Sequence, residues 1–212
     1  MVSSFTQLLA QRYKDKLAQD AQDFIGFAVD GANRMQRLIQ DLLEYSRVTT
    51  RGRPPAALDV HDALGEAVRN LQSAIQEKGA LVTNDELPSI VGDHTQIVQV
   101  FQNLIGNGIK FHKPGEPSRV HVSAERTAGQ LGFWTFKVAD NGIGIEPRYA
   151  DQIFQVFQQL HAREDYPGTG IGLPICRKIA ERHGGRIWVE SQPGQGTTFH
   201  FTISKSGSEA SC

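Results

Sequence analysis

The chain lacks a surplus of charge of either sign: 22 Lys and Arg face 23 Asp and Glu among 212 residues, a net charge of −1. That balance offers no electrostatic footprint for a phosphate backbone, so no nucleic-acid partner is expected. No apolar run approaches the ~20 residues that cross a bilayer, and the first residues carry no signal-peptide core. A cytoplasmic chain without a membrane segment is expected. Only two cysteines are present, Cys176 and Cys212, too few for a disulfide framework or for a zinc site of their own. One is expected as a reduced thiol in the core, the other on a loose tail. Histidine is absent before His61. No G-x-x-x-x-G-K-[ST] run occurs, and GTGIGL places Leu173 where a dinucleotide fingerprint needs glycine. Neither D-F-G nor H-R-D is found, which excludes the Ser/Thr/Tyr kinase fold.

What the chain does have is a folded composition, 39% hydrophobic and 21% charged, which excludes a disordered polymer. Its 21 glycines are clustered towards the C-terminus: Gly142 and Gly144; Gly168, Gly170 and Gly172; Gly184, Gly185, Gly194 and Gly196. Clusters of this kind mark sharp turns and close approach of backbone to a ligand.

Residues 1–50 read as an α-helical hairpin. The first helix carries Phe5, Leu8, Leu9, Tyr13 and Leu17. The second repeats Phe24, Ala28, Gly31, Met35, Leu38, Leu42 and Tyr45 at alternating steps of four and three, with Phe27, Ile39 and Leu43 widening the seam. Two such helices make a poor core alone, so a homodimer through a four-helix bundle is expected. Residues 51–57, with Pro54 and Pro55, read as a linker. Residues 58–203 read as a second domain, and 204–212 as a disordered tail. In that domain Asp59 caps a helix ending at Gly79, and Asp93 caps one running to about His112. Short strands are expected at 80–83 and 89–91. A hairpin is expected from 119–125 and 131–140, followed by a helix over 172–183 and strands at 186–191 and 197–203. The whole is an α+β, two-layer α/β sandwich with a mixed, mostly antiparallel sheet and three helices.

Three runs carry chemistry. On the helix after Asp93, Asn103, Asn107 and Lys110 fall within roughly 60° of one another, opposite Ile97, Phe101, Leu104 and Ile105. Amide oxygens suit Mg²⁺ completed by phosphate, and lysine supplies a point charge. Asp140-Asn141-Gly142-Ile143-Gly144-Ile145 ends a strand with a carboxylate able to accept from the exocyclic amine of adenine. Gly168-Thr169-Gly170-Ile171-Gly172-Leu173 opens a helix whose backbone N–H groups can cradle phosphate. Residues 152–166 between the last two runs are long enough for a mobile lid.

In this order, NLIGNGIKF, DNGIGI, IFQVFQQLH and GTGIGL resemble the ATP-binding domain of sensor histidine kinases, the phytochrome-like and PAS-linked type above all. The resemblance covers 58–203 and implies the Bergerat-type ATP-binding fold shared with gyrase, chaperone and mismatch-repair ATPases. It implies ATP and Mg²⁺ as ligands: Asn103 and Asn107 on the metal–phosphate side with Asn107 the metal ligand, Lys110 on the phosphates, Asp140 on adenine. Gly142 and Gly144 then shape the adenine floor, and Gly168, Thr169, Gly170, Gly172 and Leu173 the phosphate loop. Asn103 stands where hydrolysing relatives carry a water-activating Glu. An amide cannot take that proton, so the site is expected to hold ATP for transfer to a histidine and relay to a response-regulator receiver domain. Gly108 replaces the usual Ala and is expected to loosen its helix. VSSFTQLL resembles the segment just after the acceptor-histidine motif, so the chain is expected to begin past that histidine. A non-phosphorylated, ATP-binding, dimerising adaptor is the alternative.

Overall fold

A computed structural model of the chain describes residues 8, 11–12, 18–50, 52–129, 132–160, 166 and 168–204. It divides into two compact units, 1–44 and 45–212. The expected division at 51–57 lies several residues later.

In the first unit, α1 (Gln19–Thr50) is one continuous helix that runs on into the second. Much of its apolar face is exposed: Phe24 is 68% and Phe27 72% exposed, and Met35, Ile39, Leu42 and Leu43 are exposed as well, while Gly31, Leu38 and Tyr45 are half-buried. The first helix of the expected hairpin lies largely outside the described residues.

The second unit is a two-layer α/β sandwich. Its five-stranded sheet has the order β2-β4-β5-β7-β6, where β2 is Leu81–Asn84, β4 Arg119–Arg126, β5 Phe133–Asp140, β6 Ile187–Gln192 and β7 Gly196–Ser204. Only the β2–β4 pair is parallel. The helices are α2 (Val60–Asn70), α3 (Gln72–Lys78), α4 (His94–Lys110) and α5 (Gly172–Arg182). The core forms where period-two strands meet period-3.6 helices. Phe101 of α4 meets Phe136 of β5 and Phe201 of β7 edge-on at 6.2 and 5.6 Å, while the two strand rings stack at 5.0 Å. All three rings are fully buried; truncating one to Ala costs about 3–5 kcal/mol.

Both capping aspartates behave as expected. Asp59 accepts from His61 N–H at 2.8 Å, and Asp93 from Thr95 and Gln96 N–H at 3.1 and 3.4 Å. Gly79 ends α3 at φ 60°. Two expectations need correction. The single helix to Gly79 is two helices, broken at Leu71 (φ −95°, ψ 2°). Ala56 and Ala57, expected in the linker, belong to β1 (Ala56–Asp59), which pairs with β3 (Ser89–Gly92) in a separate two-stranded sheet.

The chain leading into β1 is fastened to the ends of α4 and α5. Asp93, 2% exposed, accepts Arg53 N–H at 2.7 Å and the Arg182 guanidinium at 3.2 Å on Oδ2. Arg182 also donates to Arg53 O, Gln96 to Val48 O and Lys178 to Tyr45 O. Behind Asp93, its own N–H donates to His183 Nε2 at 3.0 Å. Cys176 is buried on α5, and burial pushes its thiol up to about 12. The expected core thiol is therefore protonated and inert. Cys212 and the expected tail lie outside the described residues, apart from Ser204, the last residue of β7.

Candidate functional site

The ends of α4, β5 and β7 meet the start of α5 around an open cleft of about 600 Å³. Asp140, the last residue of β5, stands in its wall. The register pairs it with Thr197 on β7. Its Oδ1 accepts the N–H groups of Gly142 at 2.8 Å and Thr197 at 3.2 Å. No hydrogen bond from the described residues reaches Oδ2, so one carboxylate oxygen is fixed by backbone and the other is left to a ligand. Burial raises the Asp140 pKa and the two N–H groups oppose that rise. Ile143, Ile145, Ile153, Leu173 and Phe199 supply apolar wall beside it. A flat ring carrying an amine donor matches this arrangement.

Gly144 makes the floor possible. Its φ is +75°, and a Cβ there would overlap the carbonyl oxygen of Gln192. Only glycine allows both the left-handed turn and the close passage. Gly142 does not line the cleft itself and acts through its N–H on Asp140.

Asn107, on α4, lies in the cleft wall with Asp140. Asn103 stands outside it, with Nδ2 donating to Gly172 O at 3.3 Å, and so ties α4 to the first residue of α5. Lys110 Nζ lies beside Gly168 and 4.4 Å from the centre of the Phe111 ring. Among the described residues no carboxylate pairs with it, and burial lowers its pKa. A half-buried ammonium with no carboxylate partner among the described residues is suited to an anion that arrives with a ligand. The N-terminus of α5 is next to it: Ile171 provides no side-chain cap for the N–H groups of Gly172 and Leu173, and Pro174 has no N–H to offer. Thr169 is half-buried in the loop before them.

The glycine loop is held from the other side. Gly170 O accepts the N–H of Phe157 at 3.1 Å, and Gly168 O accepts Gln159 Nε2 at 2.7 Å. Phe157 has φ 68°, a left-handed conformation that strains a side chain of that size. The lid expected over 152–166 is corrected at its start: Ile153 and Phe154 are buried, with Phe154 edge-on to Phe199 at 6.4 Å. Residues 161–165 lie outside the described residues.

The structure thus gathers Asn107, Asp140, Gly144 and Leu173 around one cleft, with Lys110, Gly168, Gly170 and Gly172 at its edge. Sequence reasoning missed Thr197 and Phe111. The signal for Thr197 was the glycine at 196, whose Cβ would overlap Asp140 O.

The family model of histidine kinase-, DNA gyrase B- and HSP90-like ATPases matches residues 92–207, more than half of the chain. The chain belongs to this ATPase family. Within it, the chain is 50% identical over 208 residues to cyanobacterial phytochrome A of Nostoc sp., covering 98% of this chain and 27% of that protein. It is 46% identical over 202 residues to the phytochrome-like protein Cph1 of Synechocystis sp., covering 95% and 26%. The chain spans about a quarter of the length of these relatives. Among solved structures, full-length ShkA in complex with AMPPNP is similar at a TM-score of 0.69 and 25% identity, over 98% of this chain and 43% of that one. The nucleotide-free catalytic domain of the histidine kinase ThkA is similar at 0.60 and 27%, over 72% and 97%. The second unit is a histidine-kinase-type ATP-binding domain, and among the described residues no helix is long and apolar enough to cross a membrane.

Proposed function

We propose that this chain is the ATP-binding catalytic part of a cytoplasmic two-component sensor histidine kinase. It would pass the γ-phosphoryl group of ATP to a histidine, for relay to the aspartate of a response-regulator receiver domain. The observation that carries this reading is Asp140 in the wall of an apolar cleft, with Oδ1 held by two backbone N–H groups and no hydrogen bond from the described residues on Oδ2.

Asp140 Oδ2 accepts from the adenine amine while the isoleucines, Leu173 and Phe199 hold the ring. The triphosphate then runs towards Lys110 and the N–H groups of Gly172 and Leu173. The Asn107 amide oxygen fits a hard cation there, and Mg²⁺ held by it would neutralise charge between phosphates. Phosphoryl transfer is chiefly positioning: the acceptor nitrogen must lie in line with phosphorus at about 3–3.5 Å. A P–N bond then forms as the P–O bond to ADP breaks, with the electron pair leaving on ADP. Asn103 cannot activate water, and its amide is engaged with Gly172, so slow hydrolysis follows. Among the described residues no histidine lines the cleft. The exposed apolar residues of α1, Phe24, Phe27, Met35, Ile39, Leu42 and Leu43, support a homodimer.

The test is labelling with γ-labelled ATP and Mg²⁺. The 212-residue chain should bind nucleotide yet gain no acid-labile phosphate. The same chain extended upstream by a helix bearing a histidine should gain it. An extended chain that binds ATP, stays unlabelled and turns ATP over rapidly would overturn the kinase reading in favour of an ATPase.

A further inference from the structure

Ser191 stands on β6 opposite Thr197 in the sheet register and is outside the cleft wall. Its hydroxyl joins three segments. It donates to Gly196 O at 2.8 Å, accepts the N–H of Ile145 at 2.8 Å, and lies 3.0 Å from Thr197 Oγ1. A carbonyl only accepts and an amide N–H only donates. The single proton on Ser191 is therefore committed to Gly196. The third contact is made only if Thr197 donates its own proton to Ser191. Thr197, 6% exposed and part of the cleft wall, then turns lone pairs alone towards a ligand.

We propose that Ser191 is a specificity-determining positioning residue: it fixes the Thr197 hydroxyl as an acceptor on the residue paired with Asp140 across β5 and β7, and so sets the site against 6-oxopurines. The inference rests on the adenine-nucleotide reading above. Adenine brings an amine with two hydrogens to these two acceptors, whereas a 6-oxopurine puts a carbonyl oxygen in that place, lone pair against lone pair, and carries its nearest donor on the neighbouring N1. Without Ser191 the Thr197 hydroxyl rotates freely and can donate to that oxygen.

The experiment is calorimetry of ATP and of inosine triphosphate on the 212-residue chain, on Ser191→Ala and on Thr197→Val, with a thermal melt of each. The unaltered chain should favour ATP. Ser191→Ala should narrow the ATP-to-ITP ratio by roughly three- to tenfold, mainly by gained ITP affinity. Thr197→Val should narrow it too, and the double variant should be no worse than either single, since both act through one hydroxyl. A Ser191→Ala chain that melts earlier and loses ATP and ITP affinity alike, at an unchanged ratio, would reduce Ser191 to a structural tie and overturn the proposal. Should Ser191→Ala not fold, Ser191→Cys carries the same comparison, because a thiol keeps the volume and weakens both roles. An unaltered chain that binds neither nucleotide would instead defeat the nucleotide reading itself.

Discussion

Asp140, in the cleft wall, and Gly108 of α4 meet where helix packs on sheet. A Cβ built on Gly108 would lie 3.1 Å from the Asp140 Cβ and 2.8 Å from Val120 Cγ2. Besides its expected effect on α4, Gly108 is buried in a helix–sheet interface where its missing methyl sets the spacing. Gly108→Ala gains up to ~1 kcal/mol of helix propensity but must push β4 and β5 away. The expected result is a lower melting temperature and ATP affinity reduced several-fold, read by calorimetry. A more stable variant with unaltered affinity would show that the sheet yields freely.

The metal side turns on Asn107. If its amide oxygen completes an octahedral Mg²⁺ shell shared with the phosphates, Asn107→Ala should weaken Mg-ATP more than metal-free ADP. Equal losses for the two ligands would remove Asn107 from the metal shell.

Stability should depend on histidine protonation. His183 donates from Nδ1 to Ile179 O at 2.8 Å and accepts the Asp93 N–H at Nε2, so it is held neutral. Burial lowers its pKa, the Arg182 charge adds to the lowering, and the Ile179 bond and Asp93 oppose it. His200 is lowered by burial as well. Both unfold to an ordinary value of about 6.5. The unfolded chain therefore binds more protons below that pH, and stability falls from about pH 6.5 downwards until the folded-state values are reached. Scanning calorimetry between pH 7.5 and 5 should show a falling melting temperature, less steep in His183→Gln. A flat profile in the unaltered chain would contradict the neutral assignment.

Assembly is tested on the α1 seam. Leu38→Glu or Leu42→Glu should yield monomers whose 45–212 unit melts as before. Light scattering that finds the unaltered chain monomeric would end the bundle reading.

The readable parts of this chain were those encoded locally. Asp93 with Gln96, Gly79, and the alternation of Phe199, Phe201 and Ile203 each signal one element within a few residues. The runs proposed to hold nucleotide stand out in the sequence because Asn103, Asn107 and Lys110 share a helix face and the glycines are clustered. The break at Leu71 was not legible, since RNLQSA holds neither glycine nor proline. Strand β1 was hidden in a proline-bearing stretch and exists through its pairing with residues 89–92. Thr197 and Ser191 escaped for the same reason: the contacts on which their proposed roles rest arise when β5, β6 and β7 align, which brings Thr197 to Asp140 from 57 positions away.

The central claim is that Asp140 reads adenine. Titrating ATP and GTP into the unaltered chain and into Asp140→Asn tests it most directly. A charge-assisted hydrogen bond contributes ~1.5–3 kcal/mol, or roughly 10- to 150-fold. The account predicts a preference for ATP in the unaltered chain, and a loss of that order in the variant together with weaker discrimination against GTP. Unchanged ATP affinity in a folded Asp140→Asn chain would contradict it.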